Sequence, residues 1–182
     1  DERTYEPCIV YLNGNYWGVY EMREKVDDPD YTDFNYNQDE EDLDFIKTWG
    51  GTWQEYGSWD DWYDLHNFIT TNDMSDPANY AYVTEQFEVL SLIDYMILHA
   101  HNVSSDWLNW NTAWWRGRNP EGGALKWRYI LWDEDATFGH YINYTSIPDQ
   151  SATADPCNPE LNNPWVDFDG HVELLTELSA ND

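Results

Sequence analysis

Hydrophobic and polar positions alternate on both sides of an Asn13-Gly14 pair near the start of the chain. The stretch CIVYLNGNYWGVYEM (residues 8–22) is rich in β-branched and aromatic residues, which favour strands. Asn-Gly between two such runs is the strongest short-range signal of a hairpin, because both residues adopt a positive φ easily. The pattern therefore predicts a β-hairpin and a short extended segment after it, together residues 5–25.

The next stretch, residues 26–59, is rich in Asp, Asn and Pro at its start. Such a composition is typical of irregular loops. We expect an acidic connector here, which reaches a helix near DLDFIKTW (residues 42–49).

Two helices are predicted after the connector, because apolar residues recur every three or four positions. The first covers residues 60–71. The second begins at Asp76 and Pro77, which suit the N-cap and the first helical position, and should continue to about His99. The apolar positions are Trp62, Leu65, Phe68 and Ile69 in the first helix, and Val83, Phe87, Leu90, Ile93 and Ile97 in the second.

Two short strands are predicted next, NTAWWRGR (111–118) and LKWRYILWD (125–133), joined by the turn NPEGG. The segment DWLNWN (106–111) is then a loop between the second helix and this hairpin. Residues 60–140 thus form a mainly helical lobe. Residues 141–182 form a Pro-, Asn- and Asp-rich tail that closes with a short amphipathic helix, and the whole chain is one α+β domain.

The charge of the chain narrows the range of functions. It has 36 acidic and 8 basic residues and a formal net charge of -28. A nucleic-acid ligand is excluded, because neutralising phosphates needs a basic surface. No apolar run approaches 18 residues, so no membrane insertion is expected. The acidity suggests a saline or calcium-rich setting.

Four polar residues stand in the order that protein kinases use for phosphoryl transfer. Asp106 precedes Asn111 by five residues, and Asp133 and Asp135 follow the second hairpin. In this interpretation Asp106 is the catalytic base that orients the acceptor hydroxyl. Asn111 and one or both later carboxylates are oxygen ligands for Mg²⁺, with Asp133 favoured as the main ligand and Asp135 close behind.

The stretches YLNGNYWGVYEMREKVD, SLIDYMILHAHN, DWLNWNTAWWRG and KWRYILWDEDATFG resemble the CotH family, the spore-coat-type atypical protein kinases. The resemblance covers most of residues 5–140. It implies a divergent protein-kinase-like fold, of which this chain holds mostly the C-terminal lobe plus a β-hairpin of the N-terminal lobe. It also implies ATP- and Mg²⁺- or Mn²⁺-dependent phosphorylation of Ser or Thr on a surface or coat protein, and a secreted or cell-surface location.

The same resemblance assigns residues to the site. Asp106 and Asn111 match the family's catalytic loop, and Asp133, Asp135 and Phe138-Gly139 match its metal motif. Arg116 and Trp127, which stand between them, are expected to be structural. A hinge beside the adenine of ATP is expected to consist of Glu21, Met22, Arg23, Glu24 and Lys25.

The part of the family's small lobe that binds the phosphates of ATP has no counterpart near the start of the sequence. Family members carry a glycine-containing RGNS-like loop and a strand lysine before the Asn-Gly hairpin, and residues 1–7 resemble neither. We therefore expect that the chain begins inside the small lobe and binds ATP poorly by itself.

A non-catalytic alternative is an aromatic-rich surface module that binds carbohydrate or calcium. Aromatic residues make up 18% of the chain, and tryptophan rings can stack on sugars. The candidate stacking platforms are Trp59, Trp62, Trp107, Trp110, Trp114 and Trp115. A two-carboxylate glycoside hydrolase fits less well, because Asp133 and Asp135 are too alike in setting to act as separate acid and nucleophile.

Other ligand sites have weaker signals. His99 and His101 lack a third zinc ligand at a suitable spacing, and DDPDYTDFNYNQ lacks the Gly and the terminal Glu of an EF-hand loop. Cys8 and Cys157 either pair in an oxidising compartment or are both buried.

Overall fold

The computed structural model describes residues 4–102, 104, 107–137 and 167–181 of the 182-residue chain. Within these ranges the chain forms antiparallel sheets and helices, so the predicted α+β class is confirmed. The elements in chain order are β1 (Tyr5–Leu12), β2 (Asn15–Arg23), α1 (Pro29–Tyr36), β3 (Leu43–Thr48), β4 (Thr52–Tyr56), α2 (Asp60–Thr71), α3 (Pro77–Thr84), α4 (Val89–His101), β5 (Thr112–Gly117), β6 (Arg128–Ile130) and α5 (His171–Leu178).

Strands β1 and β2 form the predicted hairpin. Asn13 and Gly14 make its turn with φ angles of 50° and 83°. A two-stranded hairpin with solvated faces is only marginally stable in water, so this element adds little to the core. The exposed large apolar side chains of the hairpin are Tyr5, Ile9, Tyr11, Leu12, Tyr16, Trp17, Val19, Tyr20 and Met22.

The other sheet has four strands in the order β4-β3-β5-β6. The predicted helix near DLDFIKTW is wrong, because this segment forms strand β3 with all six of its residues buried. Phe45 packs into one apolar cluster and Ile46 into another, so successive side chains fill opposite faces of the sheet. The connector is not irregular either, since it also contains α1, capped by the Asp28 carboxylate.

The single long helix predicted from Asp76 to His99 is divided into α3 and α4. Asp76 and Pro77 begin α3 as expected, and the Asp76 carboxylate accepts the N–H of Ala78. Between the helices, the N–H of Glu88 donates to the carbonyl of Trp127, and the N–H of Trp127 donates to the carbonyl of Gln86, each at 2.9 Å. These bonds to Trp127, which immediately precedes β6, replace helical hydrogen bonds. The apolar periodicity therefore continues across a break in the helix.

The core is built around buried tryptophans. Trp62 of α2 contacts the rings of Phe87, Trp114 and Trp127 at centroid distances of 5.3–5.6 Å. Four of the six proposed sugar platforms are therefore core residues: Trp62, Trp107, Trp114 and Trp115 are at most 1% exposed. Most of the tryptophans proposed to stack on sugars are therefore inaccessible, which weakens the alternative of a carbohydrate-binding module.

The remaining elements follow the sequence pattern. Helix α2 covers the predicted range, β5 and β6 pair as an antiparallel hairpin, and α5 packs against α2 and α4. No helix in the described ranges is both long and apolar enough to cross a bilayer. Cys157 lies outside the described residues, so the choice between a disulfide and two buried thiols stays open; Cys8 itself is half-buried.

Candidate active site

Two of the predicted site segments meet at one end of the β5–β6 pair. Asn111 immediately precedes β5, and Trp132 and Asp133 follow β6. Ala113 lies opposite Ile130 in the antiparallel register, so the segment just before β5 and the segment just after β6 leave the pair at the same end. Neighbouring strands lie about 4.8 Å apart, and the register therefore brings the Asn loop and the acidic loop to the same edge.

Asp106, the predicted catalytic base, lies outside the described residues, as do Phe138 and Gly139. The described part of its loop, residues 107–111, is packed inward. Trp107, Leu108, Asn109 and Asn111 are buried. Leu108 and Asn111 both have positive φ angles, 64° and 53°. A leucine in this region is strained, so surrounding contacts must hold the loop in one conformation.

The acidic loop has two exposed carboxylates and one that is partly buried. Asp133 and Asp135 are exposed, whereas the side chain of Glu134 is only 27% exposed and points towards His99. Asp133 has a φ of 55°, a conformation that Asp and Asn tolerate better than most residues. Both exposed carboxylates are thus available to a ligand on the solvent side.

The donor atoms of this edge fit a hard divalent cation. Asp133 and Asp135 would offer exposed carboxylates and Asn111, which is 3% exposed, would offer an amide oxygen; oxygen atoms are the ligands that Mg²⁺ and Mn²⁺ prefer. No three His, Cys, Asp or Glu side chains in the described ranges are grouped to hold a metal ion. A nucleotide-dependent Mg²⁺ site needs only one or two carboxylates, because phosphates and water complete the coordination.

Helix α4 brings a buried histidine to both loops. The His99 ring stacks on Trp107 with centroids 4.6 Å apart and an interplanar angle of 13°. Its Nε2 atom lies 3.4 Å from Oε1 of Glu134. Burial lowers the pKa of His99 to about 3, so the ring is neutral near neutral pH. Periodicity placed His99 on a helix, but it gave no sign of these contacts.

The predicted adenine hinge lies at the end of β2 and just after it. Glu21, Met22 and Arg23 are exposed, and Arg23 Nε donates to Glu21 at 2.7 Å. Backbone and side-chain hydrogen bonds from Thr4 lower the pKa of Glu24. Lys25 pairs with Asp28 at 3.1 Å.

A cavity of about 350 Å³ adjoins the last two hinge residues. Its wall includes two aromatic rings and three carboxylates against a single cation, so its charge disfavours a phosphate chain. The lining residues are Glu24, Lys25, Asp28, Asp30, Tyr31 and Phe34.

Lys47 joins the chain beyond the hinge to the acidic loop. Its Nζ atom lies 3.0 Å from Oδ2 of Asp27 and 3.4 Å from Oε1 of Glu55. The same atom lies 5.6 Å from the ring centre of Trp132, which immediately precedes Asp133. The sequence signal that could have identified Lys47 is a lone lysine among apolar residues of a strand.

The turn between β3 and β4 supports the Asn loop from outside. The N–H of Gly50 donates to the carbonyl of Asn109 at 2.7 Å. Trp49 packs edge-on against Trp110 with centroids 5.1 Å apart. Gly50 has a φ of 71°, and a Cβ there would lie 2.7 Å from the Trp110 ring, so a glycine is required.

We expect Gly50→Ala to lower the free energy of unfolding by about 1–2 kcal/mol, because alanine resists the left-handed conformation and collides with Trp110. Gly51→Ala is the matched control, since a Cβ at Gly51 meets nothing within 4 Å. Urea denaturation of the two variants measures the difference. Equal stability of the two would contradict the proposed support of the loop by this turn.

An α+β chain whose Asn loop and acidic loop meet at one end of an antiparallel pair has the layout of the C-terminal lobe in protein-kinase-like proteins. The family model described as CotH kinase protein matches residues 1–168. The chain therefore belongs to the CotH kinase family and has a kinase-like fold. No curated protein and no solved structure matches the chain.

Proposed function

We propose that the protein is an atypical protein kinase that transfers phosphate from ATP to Ser or Thr hydroxyls of a secreted, surface or coat protein, with Mg²⁺ or Mn²⁺. The observation that carries the proposal is the β5–β6 pairing, because the loop that contains Asn111 and the loop that contains Asp133 adjoin the same end of this pair. Membership of the CotH kinase family supports the same activity at the level of the family.

Each residue of the site has a role in this proposal. Asn111, Asp133 and Asp135 hold the divalent ion through oxygen atoms. When bound, the ion neutralises negative charge on the phosphates. Asp106 orients the acceptor hydroxyl and accepts its proton. The buried anchors Trp107 and Leu108 keep the Asn loop in place, which limits the motion of the groups that must align.

The nucleotide base is assigned to the hinge from Glu21 to Lys25. Support comes from the neighbouring cavity, whose Tyr31 and Phe34 rings can stack on a planar base. The net charge of -28 repels free ATP, so the protein should take the nucleotide as its metal complex.

The test is transfer of labelled phosphate by the purified full-length protein in Mg²⁺ or Mn²⁺, to itself and to a generic Ser/Thr-rich acceptor. We expect Asp106→Ala to lower the rate by about 10²-fold or more, the usual contribution of a general base. Asp64→Ala is the control, because Asp64 is an exposed carboxylate on α2. If Asp106→Ala transfers phosphate at the wild-type rate, Asp106 is not the catalytic base. If the wild-type protein transfers no phosphate, the proposed kinase activity is wrong.

A further inference from the structure

His99 lies in surroundings that do not suit a histidine. It is 1% exposed, and neither ring nitrogen has a hydrogen-bond partner among the described residues. A buried polar atom without a partner costs about 1–3 kcal/mol. A phenylalanine of similar shape would carry no such cost among the described residues.

The contacts of His99 give a reason for a histidine at this position. One face of the ring lies on Trp107, at the start of the described part of the Asn loop, and Tyr95 packs edge-on at 4.3 Å. Nε2 approaches Glu134, which stands between Asp133 and Asp135. The His99 ring thus contacts both loops of the site. The carboxylates of Asp133 and Asp135 are exposed to solvent.

We infer that His99 is a positioning residue, which sets the acidic loop against the Asn loop by holding Glu134 and Trp107 together. This inference rests on the proposed function, because it concerns the metal ligands assigned there. Glu134 is the link in the chain of contacts: it stands between Asp133 and Asp135, so fixing its side chain restricts the backbone that carries the two flanking carboxylates. Groups that orient metal ligands in this way commonly affect metal affinity about 10–100-fold.

The neutral state of the ring is consistent with this role. A neutral imidazole carries one N–H, and the tautomer with that proton on Nε2 would place it next to the Glu134 carboxylate, whose Oε1 lies 3.4 Å from Nε2. Because burial keeps the pKa of His99 far below neutral pH, the His99 ring stays uncharged over the pH range of an assay. Metal affinity at different pH values is therefore comparable between variants.

The test compares His99→Phe with the wild type in a Mn²⁺ titration, followed by the electron paramagnetic resonance signal of the free ion. The site-specific component is the binding that Asp133→Asn removes, which separates it from weak binding to the acidic surface. We expect His99→Phe to weaken that component about 10–100-fold and to leave the protein as stable as the wild type or more stable. His101→Phe is the matched control, because His101 is exposed on the same helix.

Two further variants keep the test decisive. Glu134→Gln should weaken Mn²⁺ binding like His99→Phe, and it serves in its place where the phenylalanine variant fails to fold. His99→Gln restores a donor near the position of Nε2 but not the ring stack, so it should recover part of the affinity. A purely structural histidine predicts the opposite pattern, with loss of stability and unchanged affinity.

The outcomes separate this inference from the proposed function. If His99→Phe and Glu134→Gln bind Mn²⁺ like the wild type while Asp133→Asn does not, His99 has no positioning role and the metal site stands. If Asp133→Asn itself binds like the wild type, the metal assignment fails, and the inference fails with it.

Discussion

Asp133→Asn is expected to lower phosphate transfer by about 10³-fold, the upper range for loss of one group that stabilises transition-state charge. Asparagine tolerates the positive φ of residue 133 as well as aspartate does, so the loop should keep its course. The substitution therefore removes the charge and little else. Rates with Mg²⁺ and Mn²⁺ at saturating ATP, measured with labelled phosphate, give the size of the loss.

Asp135→Asn is the comparison that ranks the two carboxylates. Both are exposed, so neither substitution should change the free energy of unfolding by more than about 0.5 kcal/mol. A smaller loss of transfer in Asp135→Asn supports Asp133 as the main ligand. A larger one reverses the order, and wild-type rates in both variants contradict the acidic loop as a metal site.

Elements defined by local rules could be predicted from the sequence. The Asn13-Gly14 turn needs two residues that accept positive φ, and both are adjacent in the chain. Asp76 and Pro77 begin α3 because capping depends on nearest neighbours. The β5–β6 hairpin was visible because strand residues flank a turn rich in glycine.

The predictions from sequence were wrong where contacts with residues far along the chain determine the secondary structure. Strand β3 contains Asp44 and Lys47, which look unfavourable in a buried strand until their partners Arg116 and Asp27 are known. The stop between α3 and α4 depends on hydrogen bonds to Trp127, far along the chain. No local pattern contains such pairings, since they form only when the chain has folded.

In the candidate site, too, local features could be predicted from the sequence and long-range contacts could not. The predicted hairpin between Asn111 and Asp133 is present as the β5–β6 pair, whereas the roles of Asn111, Asp133 and Asp135 as metal ligands stay predictions. His99 and Glu134 were missed as a pair, because one is on a helix and the other lies beyond the hairpin. The alternative function placed six tryptophans on a sugar-binding surface and four of them are buried, since composition cannot separate a stacking platform from a core.

The ion cluster around Asp44 is expected to give the largest change in stability. Asp44 Oδ2 accepts from Arg116 at 2.9 Å, and Oδ1 accepts from the N–H of Ser58 at 2.9 Å and lies 3.3 Å from Arg118. The Arg116 guanidinium also packs over the Trp127 ring at 5.0 Å. These contacts fasten β3 to β5 and to the start of α2.

Asp44→Ala should therefore lower the free energy of unfolding by about 3–5 kcal/mol, because it leaves the mostly buried Arg116 without its inner partner. Asp61→Ala is a matched control, since Asp61 pairs with the same arginine but its side chain is 64% exposed. Such a pair contributes about 0–1 kcal/mol. Urea denaturation measures both, and a loss in Asp61→Ala equal to that in Asp44→Ala would show that the inner carboxylate does not hold the strands together.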